Sequence, residues 1–445
     1  MNIAWDSVSA EATGYLQQLL RIDTTNPPGN ELAAARWLAA ILAREGFSPQ
    51  LIEPAPGRAN VVCRYTTGGT DGPLLLSSHV DVVPAEAAHW THPPFDGVLA
   101  DGYIWGRGAL DMKSMTIYQL MTLLLLKRHG LRVRRDVILA ATADEEVGCQ
   151  YGSAYLVEHH ADLIRAAYAL NEVGGMTLHI GAQRLYPIEV AQKGIVWVNV
   201  RARGTPGHGS KPHADMAVAR LGQALHRLTT RRLPLHRTAA ALDFVQAIAA
   251  ASPVPQRWWL RGITLRGVGD YCARALPLNQ QTAFLLATLH NTACPTSLRA
   301  GSGDSVNVIP SEAELSVDGR ILPGQTQADF LAELQMLLGP GYEYEVIRYR
   351  APLEQPRDTP LFATIARVVA AADPGARAVP FMITGFDDAH FYQRLGIVTY
   401  GFQPLRCPRG FDVVALAHAH DERIPLDGFH WGVRTLYDVV KEFVT

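Results

Sequence analysis

The chain has 445 residues, 48% of them hydrophobic and 18% charged, a composition of folded globular proteins and a length that allows two domains. Forty Lys and Arg against 42 Asp and Glu, with no basic block, exclude a nucleic-acid backbone as an expected partner. The apolar stretch around Leu120 to Leu126 is too short to span a bilayer, the amino terminus reads without a secretory signal, and Cys63, Cys149, Cys272, Cys294 and Cys407 are scattered as reduced thiols of a cytoplasmic protein would be.

Taken in order, Glu11 to Leu20 has helical apolar spacing and breaks into the turn-rich loop RIDTTNPPGNE. Glu31 to Glu45 is a second helix, stopped by Gly46. Asn60 to Tyr65 and Pro73 to Ser77 read as strands, the latter an unbroken apolar run suited to a parallel sheet covered on both faces. His79 and Asp81 follow it. After Asp111 comes an apolar helix, Met115 to Lys127. Asp136 to Ala143 is a buried strand ending at Glu145-Glu146, and Ala166 to Leu170 is another, ending at Glu172. Alternating strands and helices predict a doubly wound α/β domain.

Near Lys193 the texture changes. Ile195 to Ala202 alternates as an antiparallel strand with one covered face does, and Gly204 to Ser210 is a glycine-rich turn carrying His208. Helix Asp215 to Leu228, strands Val306 to Pro310 and Ala313 to Arg320, helix Thr326 to Leu338 and strand Tyr342 to Arg350 complete a ferredoxin-like α+β layer. Within it, Arg231 to Gly303 shows helical pieces and a Trp258-Trp259 pair without a readable role. The first texture returns from Ala351: helix Thr359 to Ala372, strand Gly396 to Gly401, then His418 and a closing helix. The expected organisation is a domain of residues 1–192 plus 351–445 with residues 193–350 inserted as a lid and dimerisation domain. Strand Ile195 to Ala202 is expected to leave an edge that a second copy could extend.

In open α/β sheets, chemistry gathers beyond the carboxyl ends of the strands. Three expected core strands end at His79/Asp81, Glu145/Glu146 and Glu172; Asp111 opens a helix nearby, and a late loop offers His418. Asp111 could be an ordinary helix cap. The adjacent acids Glu145 and Glu146 repel each other, which cations relieve. Two imidazoles with a surplus of carboxylates suit Zn²⁺, or Co²⁺ and Mn²⁺, and the surplus favours two ions sharing a carboxylate and activating water.

The segments SSHVDVVP, GRGALDMKS, DEEVG, NEVGG, GTPGHGS, NVIPSEAELSVDGR and HAHDER appear in an order that resembles one metallopeptidase family, that of aminoacylase, acetylornithine deacetylase, succinyl-diaminopimelate desuccinylase and glutamate carboxypeptidase. The resemblance covers almost the whole chain. It implies that His79, Asp111 and Glu172 bind one metal ion and Asp111, Glu146 and His418 the other, with a cis peptide after the bridging Asp111. Asp81 would orient His79, and Glu145 would be the general base. His418 rather than His420 matches the family spacing of His, two residues, Asp or Asn, then Glu. His208 would reach the substrate from a partner subunit, and Asn307 and Arg320 would hold a substrate carboxylate. For Arg320, a surface salt bridge is the plain alternative. The segment Ile383 to His390, with Gly385 beside the substrate in the implied arrangement, departs from the family by placing Phe386 and Asp387 where small residues are usual. Specificity therefore cannot be copied from a relative.

The implied activity is two-metal hydrolysis of the amide bond of a small substrate with a free carboxylate, an N-acyl amino acid or a dipeptide, in a cytoplasmic homodimer. A biosynthetic deacylase for acetylornithine or succinyl-diaminopimelate is the runner-up, and a non-catalytic metal-binding protein on the same fold a third reading.

Overall fold

The structure is a computed structural model that describes residues 3–276, 280–301 and 305–445. The chain divides into two compact units, one of Met1–Val190, Gln355–Pro380 and Asp387–Thr445, the other of Ala191–Glu354 with Phe381–Phe386.

The first unit is built on a mixed sheet. Seven of its ten strands are β1 (Gln50–Ala55), β2 (Arg58–Tyr65), β3 (Asp71–His79), β4 (Arg135–Thr142), β5 (Tyr168–Asn171), β6 (Gln183–Gln192) and β7 (Val398–Gly401), in the spatial order β1-β2-β4-β3-β5-β7-β6; the other three pair with β6. The four central strands β4, β3, β5 and β7 run parallel. They are flanked by antiparallel neighbours, β1 and β2 on one side and β6 on the other. The central strands were legible because both faces are covered: Leu74, Leu75 and Leu76 of β3 are fully buried. β1 and β6 were not, since QLIEPA is largely exposed and Gln183–Gln192 mixes polar and apolar residues without a period.

Helix Lys113–Arg128 is apolar on nearly every side because it is enclosed by sheet strands, by helix Trp5–Leu20 and by the closing helix Leu426–Val444. Two of its buried polar side chains tie it to β3: Thr116 donates to the Ser78 hydroxyl and Gln119 to the Ser77 carbonyl.

In the second unit, four antiparallel strands are ordered Thr292–Ala300, Glu312–Ile321, Gly194–Arg203 and Tyr342–Arg350. Val196, Val198, Val200, Leu315 and Val317 form the covered face, against Leu221 and Ala224 of helix Ala217–Thr230 and Phe330 and Leu334 of helix Gln327–Leu338. A capping box starts the latter helix, Thr326 accepting from the Asp329 N–H while the Asp329 carboxylate takes the Thr326 N–H.

Two expectations are corrected here. The second strand of this sheet is Thr292–Ala300, not Val306 to Pro310, where the structure has only a two-residue ladder, Val308–Ile309 against Gly207–His208. Helices Ala239–Ala251, Gln256–Thr264, Val268–Ala275 and Gln280–Leu289 separate that strand from the first, which hid the pairing. Strand Gly194–Arg203 is also internal, so the free edges belong to Thr292–Ala300 and Tyr342–Arg350 and not to Ile195 to Ala202. Among the described residues, no helix is long and apolar enough to cross a membrane.

Candidate active site

Because β4, β3 and β5 are parallel neighbours, their carboxyl ends lie along one edge of the sheet. His79 is the last residue of β3, Glu145 and Glu146 form a short turn just past β4, and Glu172 follows β5 directly. Glycine is needed on the next strand: a Cβ at Gly401 of β7 would lie 2.3 Å from the Glu172 carbonyl oxygen.

Asp111 is at the centre. One of its carboxylate oxygens, Oδ1, lies 3.1 Å from His79 Nε2, and the other, Oδ2, lies 3.0 Å from His418 Nε2. On the first side, Glu172 Oε2 is 3.5 Å from the same His79 nitrogen; on the second, Glu146 Oε2 is 3.2 Å from the same His418 nitrogen. Asp111 is not a helix cap; the residue before the helix is Met112, and no side chain caps that end. The Asp111–Met112 peptide bond is cis.

Asp81 reaches the cluster from below. Its Oδ1 accepts the Glu145 N–H at 3.1 Å and its Oδ2 the Glu146 N–H at 3.2 Å. His79 Nδ1 is 3.0 Å from the Asp81 backbone oxygen and 3.5 Å from its carboxylate, which turns Nε2 toward Asp111 and Glu172.

Two features of the cluster escaped sequence reasoning. Glu422, fully buried, accepts the backbone N–H groups of Leu110 at 2.7 Å and Asp111 at 3.1 Å and pairs with the buried Arg107 at 2.7 Å. It seats the loop that presents Asp111. It lies in the HAHDER segment, where nothing local distinguishes a buried, paired carboxylate from a solvated one. Asp388, also buried, accepts from Thr142 at 3.2 Å and from the Ser153 hydroxyl. It lies in the segment that departs from the family pattern.

The electrostatics are those of crowded negative charge. Burial, then the neighbouring Glu172 charge, pushes the Glu145 carboxyl well above its ordinary range. Burial raises Glu172 to about 8, Asp388 to about 6, and Glu146 upward. Hydrogen bonds to Asp111 and Glu146 push His418 up to about 10. His79 rises well above its usual value, burial opposing and the Glu172 charge favouring its proton. Asp111 and Asp81 are held low; burial opposes this in both, and it is outweighed at Asp111 by the two imidazoles and at Asp81 by His79 and Asn26.

The donor set fits divalent cations. Candidate ligand atoms of His79, Asp111 and Glu146 lie within 4.8 Å of one another, as do those of His79, Glu145 and Glu172. Glu146 Oε1 is buried and accepts no hydrogen bond. Cations would satisfy that oxygen and offset the crowded carboxylates.

The remaining candidates lie in the second unit. His208 is exposed, and its Nδ1 accepts from the Ser210 N–H at 3.2 Å and lies 2.8 Å from the Ser210 hydroxyl. That places the ring proton on Nε2. The Gly209 N–H donates to the Asn307 carbonyl at 2.7 Å, so His208 and Asn307 are brought together. Arg320 is engaged bidentately by Asp318 of its own strand, at 2.7 and 3.0 Å. Gly385 has open space where a Cβ would stand.

Acids and imidazoles gathered at the carboxyl ends of parallel strands, most of them buried, form a candidate metal centre. The chain belongs to Peptidase family M20/M25/M40, whose pattern matches residues 75–442, and it is a metal-dependent amide hydrolase of that family. Human aminoacylase-1 is 28% identical over 420 residues, covering 92% of this chain and 89% of the human protein. Among solved structures, the M20 family metallo-carboxypeptidase Sso-CP2 of Sulfolobus solfataricus is similar with a TM-score of 0.71 at 16% identity, covering 97% of this chain and 99% of that one. The Bacillus subtilis YXEP protein, described as a dinuclear metal-binding peptidase of the M20 family, is similar with a TM-score of 0.59 at 12% identity, with 98% of each chain covered.

Proposed function

We propose that this protein is a two-metal hydrolase that cleaves the amide bond of a small substrate with a free carboxylate, an N-acyl amino acid or a dipeptide. The carrying observation is that the two carboxylate oxygens of Asp111 face two different imidazoles, each accompanied by its own glutamate. His79, Asp111 and Glu172 would hold one ion and Asp111, Glu146 and His418 the other, with Zn²⁺ as the ion, or Co²⁺ or Mn²⁺. The names of human aminoacylase-1 and of the dinuclear Bacillus subtilis peptidase support this reading.

When bound, the ions supply Lewis acidity, lowering the pKa of water and polarising the substrate carbonyl. Glu145, beside His79 and Glu172, takes the proton of the attacking water and returns it to the leaving nitrogen. Asp81 keeps His79 and the Glu145–Glu146 backbone in register. His208, with its proton on Nε2, donates to the developing oxyanion. Asn307 and Gly385 line the substrate, and Arg320, once freed from Asp318, binds the substrate carboxylate.

The same reading takes residues 1–192 plus 351–445 as the catalytic domain and 193–350 as an inserted ferredoxin-like lid that forms a homodimer in the cytoplasm. His208 would then serve the partner's site. Mixing His208→Ala subunits with Glu145→Gln subunits tests this arrangement, since activity returns only if His208 acts across the interface. The test of the activity itself is amino-acid release from a panel of N-acyl amino acids and dipeptides, with and without Zn²⁺. Hydrolysis of none of them, or hydrolysis indifferent to metal, would sink the proposal.

A further inference from the structure

Asp81 has a partner that none of the roles above uses. Asn26, only 3% exposed, sends its side-chain nitrogen to Asp81 Oδ2 at 2.9 Å and to Asp144 Oδ1 at 3.1 Å. An amide nitrogen carries two N–H groups, one for each acceptor, and two facing carboxylates fix which way the amide must point. Asn26 is itself pinned, its backbone N–H donating to the Val82 carbonyl at 2.9 Å. Thr24, two residues earlier, donates to the Val80 carbonyl at 2.6 Å.

Asp144 stands one residue before Glu145 with a left-handed φ of 67°. Besides Asn26 it accepts from Arg58 at 2.8 Å and from the Tyr151 N–H at 3.1 Å. Arg58 in turn is gripped bidentately by the fully buried Glu31, both contacts at 2.7 Å. A continuous chain of contacts therefore runs Glu31, Arg58, Asp144, Asn26, Asp81, His79. Its acids outnumber its one arginine, and Asn26 is the uncharged link that lets two buried carboxylates be tied together rather than repel.

We infer that Asn26 is a positioning residue for the metal-binding and proton-transfer groups. It joins Asp81, which lies just past β3 and holds His79 and the Glu145 and Glu146 N–H groups, to Asp144, the residue before Glu145 in the turn past β4. A change at Asn26 then moves a ligand of each proposed ion, and the base, together. A loop anchor with no such role would alter stability alone. The inference rests on the two-metal reading.

The test compares the full-length wild type with Asn26→Asp, an isostere without N–H donors, and Asn26→Ser, which keeps one donor. Zn²⁺ affinity is measured by competition with a chromophoric chelator, the thermal midpoint on metal-free protein, and kcat and KM at saturating Zn²⁺. Zn²⁺ affinity is expected to fall about 10–100-fold in Asn26→Asp and less in Asn26→Ser, the scale seen when a group that orients metal ligands is lost. At saturating Zn²⁺, kcat should fall while KM stays within about twofold, because substrate binding is not touched. Folded variants with wild-type affinity and kcat, or with lower stability alone, overturn the inference; if Asn26→Asp does not fold, Asn26→Ser decides by the same measures. A wild type that binds no Zn²⁺ would instead refute the two-metal reading beneath it.

Discussion

Two regions of this protein concentrate charge, and they are built in opposite ways. At the strand ends of the first unit, Asp81, Asp111, Glu145, Glu146 and Glu172 crowd around His79 and His418. On the uncovered face of the second unit's sheet, Arg201 pairs with Glu314 at 2.6 Å and Glu345 at 2.5 Å, Arg203 with Glu343 at 2.8 Å, and Arg320 with Asp318 at 2.7 Å. The ladder alternates sign and is open to water, so it satisfies itself and asks for nothing. The cluster repeats one sign in a buried place, raises the pKa of Glu172 to about 8, and leaves Glu146 Oε1 without a donor. Neither density of charge nor number of ion pairs marks the site. Unbalanced charge under burial does.

The comparison can be broken most directly by chelation. Stripping divalent ions should take amide hydrolysis to background, and adding Zn²⁺, Co²⁺ or Mn²⁺ should restore it; a chelated enzyme that keeps turning over would remove the reason for the acid surplus. Next in size is Glu422→Gln, which leaves Arg107 buried beside the Asp111 loop without its counter-charge. A loss of about 3–5 kcal/mol is expected in chemical denaturation, the scale of breaking a buried pair. Glu145→Gln should cut kcat by about a hundredfold or more while metal content, read by elemental analysis, stays at the wild-type level. Wild-type turnover in such a metal-loaded variant would end its assignment as base.

Smaller effects belong to the ladder. Arg320→Gln should raise KM about tenfold, the scale of one lost charge-assisted hydrogen bond, without changing kcat. An unchanged KM would return Arg320 to the ordinary pairs of that face. Arg201→Ala should be silent, with thermal midpoint and kinetics as in the wild type, because exposed pairs of this kind contribute little. A large effect there would mean the open face does more than meet water.

Read by itself, the sequence determined the parallel centre of the first unit and the residues at its strand ends. Runs such as DVILAATA and PLLLSS are covered on both faces over most of their length, and a chain covered that way is mostly apolar and does not alternate. It could not determine the flanking strands: Gln50–Ala55 is largely exposed, and Gln183–Gln192 takes its burial from several partners distant in the chain. It misplaced the second strand of the other sheet for a related reason. Thr292–Ala300 pairs with Glu312–Ile321 at an edge, where half its side chains are free to be polar. The support of the site was equally silent. Glu422, Asp388 and Asn26 matter through what stands opposite them, Asp111, Ser153 and Thr142, and Asp81 and Asp144, all distant in the chain. Local pattern records whether a side chain is covered. Which charge faces which is decided only when strands and loops from separate parts of the chain are folded to one edge.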